Sequence, residues 1–213
     1  NFEKLYGSVA AGKDSTPMLH LVADEARQRG TTFGVLLVDL EGQYRVTIEH
    51  AELCLDDCAD ITDQYWVALP LALRNAVSVY EPKWQCWEPG KEDIWVRPLP
   101  KRAINDEAYF PFFQRDMEFE EFVPEFGEWY AQGKKTACLV GIRADESLNR
   151  FRTIASRHKE TVDGMQWTSV ITENVANVYP IYDWKTEDIW TYHGKHPDRP
   201  YNKLYDLMGM AGL

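Results

Sequence analysis

The sequence has little of what would place it in a membrane, outside the cell or along a polyanion. It contains only four cysteines, Cys54, Cys58, Cys86 and Cys138, with no CxxC pair, and a chain of this size closes a core without disulfide staples. That usage predicts a reducing, cytoplasmic setting. No apolar run approaches the roughly 20 residues that span a bilayer, and the first residues carry neither the charged nor the apolar region of a signal peptide. Asn1 stands where an initiator Met would, and the chain stops just after a helical pattern, so the sequence reads as a piece of a longer one. Positive charge is scarce. With 23 Lys and Arg against 34 Asp and Glu, the formal charge is -11, which excludes a broad grip on nucleic acid or an anionic membrane because phosphate neutralisation needs clustered cations. One local exception stands out: Arg143, Arg150, Arg152, Arg157 and Lys159 crowd a short stretch.

What is present points to one globular α/β domain over residues 1–213, since 45% hydrophobic content supplies one substantial core. Residues 5–9 read as a buried strand running into the small-residue turn Ala10-Ala11-Gly12, and then into a helical pattern that Ser15 or Thr16 caps and Gly30 ends. Further strands are expected at 32–40, 65–69, 135–142 and 177–180, and helices at 46–59, 118–132, 147–157, 186–192 and 202–210. Strands alternating with helices imply a mainly parallel sheet. Residues 80–111, with Trp84, Trp87, Trp95 and five prolines, are too irregular for regular elements and too aromatic for disorder. They read as an ordered insertion near the site.

The loop after the first strand carries the chemistry. A tight turn between a buried strand and a helix leaves backbone N–H groups facing open space, where a phosphate can accept them; Gly12 permits the turn and Lys13 adds a cation. GSVAAGKD nearly matches GxxxxGK[ST], but Asp14 occupies the position that should place a hydroxyl on magnesium. The plain alternative is an ordinary turn with a solvated lysine.

AAGKDS resembles the SGGxDS loop of the PP-loop superfamily of ATP pyrophosphatases and PAPS (3′-phosphoadenylyl sulfate) reductases, with Ala10 in place of Ser and Ala11 in place of Gly. DLEGQYRVTIEH, which begins at Asp39, is similar to the family's adenosine-lining segment. GIRADESLNR resembles its GxRxxxSxxR segment, whose arginines reach phosphate or sulfate. NVYPIYDWKTEDIWTY and PYNKLYD resemble its closing segments. The resemblance implies an adenine nucleotide α-hydrolase-like (HUP, Rossmann-like) fold that binds ATP or PAPS across the strand ends. Ala10, Ala11, Gly12, Lys13, Asp14, Ser15, Asp39, Glu41, Arg143 and Arg150 would form the nucleotide site, with Lys13, Asp14 and Arg143 catalytic. Arg143, at the strand end, is the arginine expected to read the distal anion. Magnesium would accompany ATP, with Asp14 and Asp39 its candidate ligands.

Within the superfamily the Trp-rich insertion is similar to a branch associated with a ParB-like or sulfiredoxin-like partner and gene regulation. The resemblance therefore implies either cleavage at the α–β phosphate or sulfonucleotide bond, giving AMP and pyrophosphate from ATP, or a non-catalytic nucleotide sensor acting with a protein partner. Four cysteine ligands for an iron–sulfur cluster are not visible. His193 and His196 lack a clear third metal ligand, Cys54 and Cys58 suit apolar packing, and His20 reads as structural, with proton transfer the alternative.

Overall fold

The computed structural model describes residues 2–77 and 79–212. In chain order the elements are β1 (Lys4–Ser8), α1 (Ser15–Arg29), β2 (Phe33–Val38), α2 (Arg45–Asp57), β3 (Thr62–Val67), β4 (Ala72–Arg74), β5 (Lys83–Gln85) and α3 (Phe119–Ala131). Then follow β6 (Thr136–Val140), α4 (Leu148–Ala155), β7 (Thr168–Val170), β8 (Val175–Val178), α5 (Thr186–Lys195) and α6 (Leu204–Met210). A six-stranded sheet runs β3-β2-β1-β6-β8-β7, parallel except for β7. The α/β fold with a mainly parallel sheet flanked by helices is the one the sequence predicts.

The strand order reverses between β1 and β6. From β1 the chain first builds outward through β2 and β3, then returns to β6 on the other side, where Ser8 pairs with Val140. Loops leaving the two central strands must then diverge, opening a crevice at their carboxyl ends.

Each face of the sheet has its own core. In β2, Phe33, Val35 and Leu37 pack with Leu19 and Ala23 of α1 and Leu55 of α2. Leu36 points the other way, toward Phe122 and Phe126 of α3, as the two-residue period of a strand requires. Five of the six β2 residues are buried, the pattern of a strand covered on both faces. Gly34 has a packing reason, since a Cβ there would lie 2.8 Å from the Tyr130 ring.

Several expectations need correction. The 80–111 insertion is more regular than its composition suggests, for β5 lies within it and pairs antiparallel with β4. Ile104 adds to the exposed edge of β3, accepting from Ala68 N at 2.9 Å and donating to Trp66 O at 2.6 Å, which covers an edge otherwise open to another strand. β4, β5 and β7, each three residues long, escape a periodicity search. β3 starts earlier than its apolar run because polar Thr62 to Gln64 pair with Phe33 to Val35. Asp14, not Ser15 or Thr16, occupies the N-cap of α1. No helix among the described residues is long and apolar enough to cross a membrane.

Candidate nucleotide site

At the reversal point lies a cleft of about 630 Å³, bounded by the 8–15 loop, the end of β2, Phe119 and Val123 of α3, Arg150 and Tyr205. The floor is the loop. Ala11 has φ +52°, the left-handed conformation that the glycine of a similar motif adopts without strain and an alanine holds at a cost of about 1 kcal/mol. At Gly141, a Cβ would come within 2.9 Å of Ser15 Cα and 3.2 Å of Asp14 O. The missing side chain lets the end of β6 press against the start of α1.

The loop's carbonyls are held from behind. Asn202 Nδ2 donates to Ala11 O at 2.9 Å and to Thr47 Oγ1 at 3.1 Å, tying the loop to α2. Thr16 Oγ1 donates to Gly12 O at 2.8 Å and lies 2.9 Å from His50 Nε2. Since the single Thr16 hydroxyl proton goes to a carbonyl, His50 must donate from Nε2, and burial keeps it neutral by lowering its pKa to about 4. His193 Nε2 stands 3.4 Å from Lys13 O, and burial lowers its pKa as well. With these carbonyls held, two of the loop's N–H groups are met by hydroxyls at the cleft. Ser15 Oγ takes the Gly12 N–H at 3.2 Å, and the Lys13 N–H is met at 3.2 Å by the Tyr205 hydroxyl of α6.

The charged candidates are arranged otherwise than expected. Asp14 accepts from Lys13 Nζ at 2.6 Å and from Arg143 Nε at 2.6 Å, one on each oxygen. Arg143 is 1% exposed, and its other nitrogens reach Trp184 O at 3.3 Å and Thr186 Oγ1 at 3.5 Å. It braces Asp14 from beneath and does not line the cleft; Arg150 does. Asp39 is buried, accepting from Trp66 Nε1 at 2.9 Å, from the backbone N–H of Glu41 at 2.9 Å and from Arg97. Glu41 receives the N–H groups of Trp87 at 2.6 Å and Val96 at 2.8 Å. Arg97 lies over the Trp87 ring, 4.9 Å from its centroid. Both carboxylates clamp the insertion to the end of β2; Asp39 also lines the cleft, whereas Glu41 does not.

A magnesium ion taking Asp14 and Asp39 as ligands does not fit this arrangement, because cationic or N–H donors already hold their oxygens. Among the described residues no three His, Cys, Asp or Glu side chains group to hold a metal. His193 faces the loop and His196 packs on Tyr192, 4.5 Å between centroids. Cys54 lies against His50 and is buried with Cys58. Cys138 is among the residues around the cleft, and burial pushes its thiol up to about 12. Buried His20, with its pKa lowered to about 3 by burial, stacks near Tyr192 on the far side of α1.

Residues 4–208 match the phosphoadenosine phosphosulfate reductase domain, nearly the whole chain. This chain is a member of the PAPS reductase domain family. It is similar to the uncharacterized protein YbdN of Escherichia coli (strain K12), with 46% identity over 209 residues, 97% of this chain and 51% of that protein. The chain thus spans about half the length of that relative. Its fold is similar to the crystal structure of phosphoadenylyl-sulfate (PAPS) reductase from Candida auris in a phosphate complex, with TM-score 0.52, 13% identity, and coverage of 97% of this chain and 79% of that one.

Within this PAPS reductase domain, residue-by-residue reading missed His50, Arg97, Asn202 and Tyr205. Asn202 and Tyr205 fall inside PYNKLYD, a segment already singled out, so a signal for them existed. His50 and Arg97 carried none, because each acquires its role from a partner distant in sequence.

Proposed function

We propose that this PAPS reductase domain binds an adenine nucleotide, ATP or PAPS, with its phosphate or sulfate chain on the 10–15 loop and its adenosine toward the end of β2. The observation that carries this reading is the inward anchoring of three successive loop carbonyls, Ala11, Gly12 and Lys13. A loop so held keeps its backbone fixed, and an anion would take the Gly12 and Lys13 N–H groups from the Ser15 and Tyr205 hydroxyls and the Lys13 ammonium from Asp14. Lys13 is 22% exposed and can turn from Asp14 toward the ligand. Arg150, which lines the same cleft, supplies a second cation.

The preferred chemistry is cleavage at the α–β phosphate or sulfonucleotide bond. A loop of this kind holds the β and γ phosphates as one leaving group, which departs as water or another acceptor attacks the α phosphorus, while Lys13 stabilises the developing charge. Asp14 stands where a γ-transferring site places its metal-binding hydroxyl. Magnesium would arrive with ATP, coordinated by its phosphates. Phosphorus NMR of ATP incubated with magnesium and the protein tests this: AMP and pyrophosphate are expected, and ADP as the main product would refute it.

The alternative is a nucleotide-sensing module working in the cytoplasm with a protein partner of the ParB or sulfiredoxin-like kind. Ala10 and Ala11 favour it, since they replace the hydroxyl-bearing Ser and the Gly of the similar loop and so weaken its hold on the reacting anion. Calorimetric binding of ATP or PAPS with no turnover separates the sensor from the enzyme.

A further inference from the structure

Helix α4, beside the mouth of the cleft, is amphipathic the wrong way round. Of its residues only Ile154 is buried. Leu148, Phe151, Arg152 and Ala155 are spaced i, i+3, i+4 and i+7, so they form one stripe along the helix, and all four face solvent. Leu148 is 61% and Phe151 51% exposed. A helix stabilised by its own domain alone would turn such a stripe inward. Ser147 caps α4 by accepting the N–H of Arg150 at 3.2 Å, so the helix has a local reason to form with this face uncovered.

The charge around the stripe is as unusual. Arg150, on the inner flank, has Glu146 at 3.9 Å. No salt bridge among the described residues engages Arg152 within the stripe or Arg157 just beyond the helix. Two uncompensated arginines on a chain of formal charge -11 mark a local cationic patch. Exposed aromatic side chains together with arginine are the groups enriched where proteins meet.

We infer that the outer face of α4 docks an acidic, amphipathic segment of a separate protein. Aliphatic side chains of that segment cover Leu148 and Phe151, and its carboxylates pair with Arg152 and Arg157. The occupant is a protein rather than a nucleic acid, because half the stripe is aliphatic and offers no run of stacking platforms. A long phosphate backbone would also extend from this small patch onto an acidic surface. The docked segment lies next to the cleft, since Arg150 on the same helix lines it. This inference does not depend on which nucleotide the cleft takes.

Fluorescence anisotropy with a labelled helical peptide about four turns long, bearing Leu at i, i+3 and i+7 and Glu between, tests it on the whole chain. Saturable binding with a Kd of about 10 µM is expected, weakened about tenfold by Phe151→Ser and by Arg152→Glu and lessened by added salt. Both positions are exposed, so circular dichroism should be unchanged, and Lys13→Ala should leave this binding intact. Equal binding of a peptide with Lys in place of Glu, or no saturable binding, overturns the inference. Tighter binding of oligouridylate overturns it in favour of nucleic acid. Self-association in sedimentation, abolished by Phe151→Ser, overturns it in favour of a second copy of the chain.

Discussion

Lys13 and Arg143 flank the same carboxylate and should behave differently when removed. Lys13 is partly exposed at the cleft, so Lys13→Ala should weaken ATP or PAPS binding by about 1.5–3 kcal/mol, the scale of a charge-assisted hydrogen bond, with little change in melting temperature. Calorimetry on the folded variant reads this directly. Arg143 is buried against Asp14. Truncating it leaves a mostly buried carboxylate short of its partner, and Arg143→Ala should lower the unfolding free energy by about 3–5 kcal/mol in urea titrations. Residual binding should fall equally for AMP and ATP. A selective loss for ATP would restore the direct contact with a distal anion that the GIRADESLNR segment suggests. The clamp at Asp39 follows the same logic. Asp39→Asn leaves Arg97 buried without its counter-charge, two of its nitrogens already lacking partners, and should loosen the insertion, seen as faster hydrogen exchange at Trp87 and Val96.

Between elements, the decisive contact is that of the end of β6 with the start of α1. Because the Cβ of Gly141→Ala would meet backbone of Ser15 at 2.9 Å, no side chain can move aside. The variant should shift the α1 terminus and the loop that leads into it. Overpacking of this kind costs about 1–3 kcal/mol of stability, and nucleotide binding should suffer more, since the amides lose their alignment. Unchanged affinity would mean that the loop geometry is not set by this contact. The long elements were legible in the sequence for a plain reason: α1, α2, α3 and β2 carry enough residues for periodicity to register. β5 was not, because Lys-Trp-Gln has no pattern of its own and becomes a strand through pairing with Ala72 to Arg74.

Across the whole molecule, burial of neutral histidines makes stability depend on pH. His20 and His50 have pKa values lowered to about 3 and about 4, chiefly by burial. Depressed folded values mean that the unfolded chain binds more protons below its ordinary histidine pKa of about 6.5. Their contribution is fully present above that pH and is lost as pH falls toward 4, at up to about 1.4 kcal/mol per pH unit for each histidine. Urea titrations between pH 7 and 4 should show the decline, and His20→Leu should flatten it. An unaltered slope would show that His20 is protonated without penalty.

The sequence by itself determined the alternation of strands and helices, the small-residue loop before a helix, and the family. Each is written in local order, as residue type, spacing and adjacency. Only the tertiary structure decided which candidate groups face the cleft. Arg143 meets Asp14 across 129 positions, Asn202 holds Ala11 across 191, and Glu41 receives Trp87 across 46. A carboxylate or guanidinium at a strand end can serve a ligand or the fold equally well by type. Which it serves depends on whether a distant segment arrives to satisfy it, because a buried charge must be paired wherever the chain first supplies a partner.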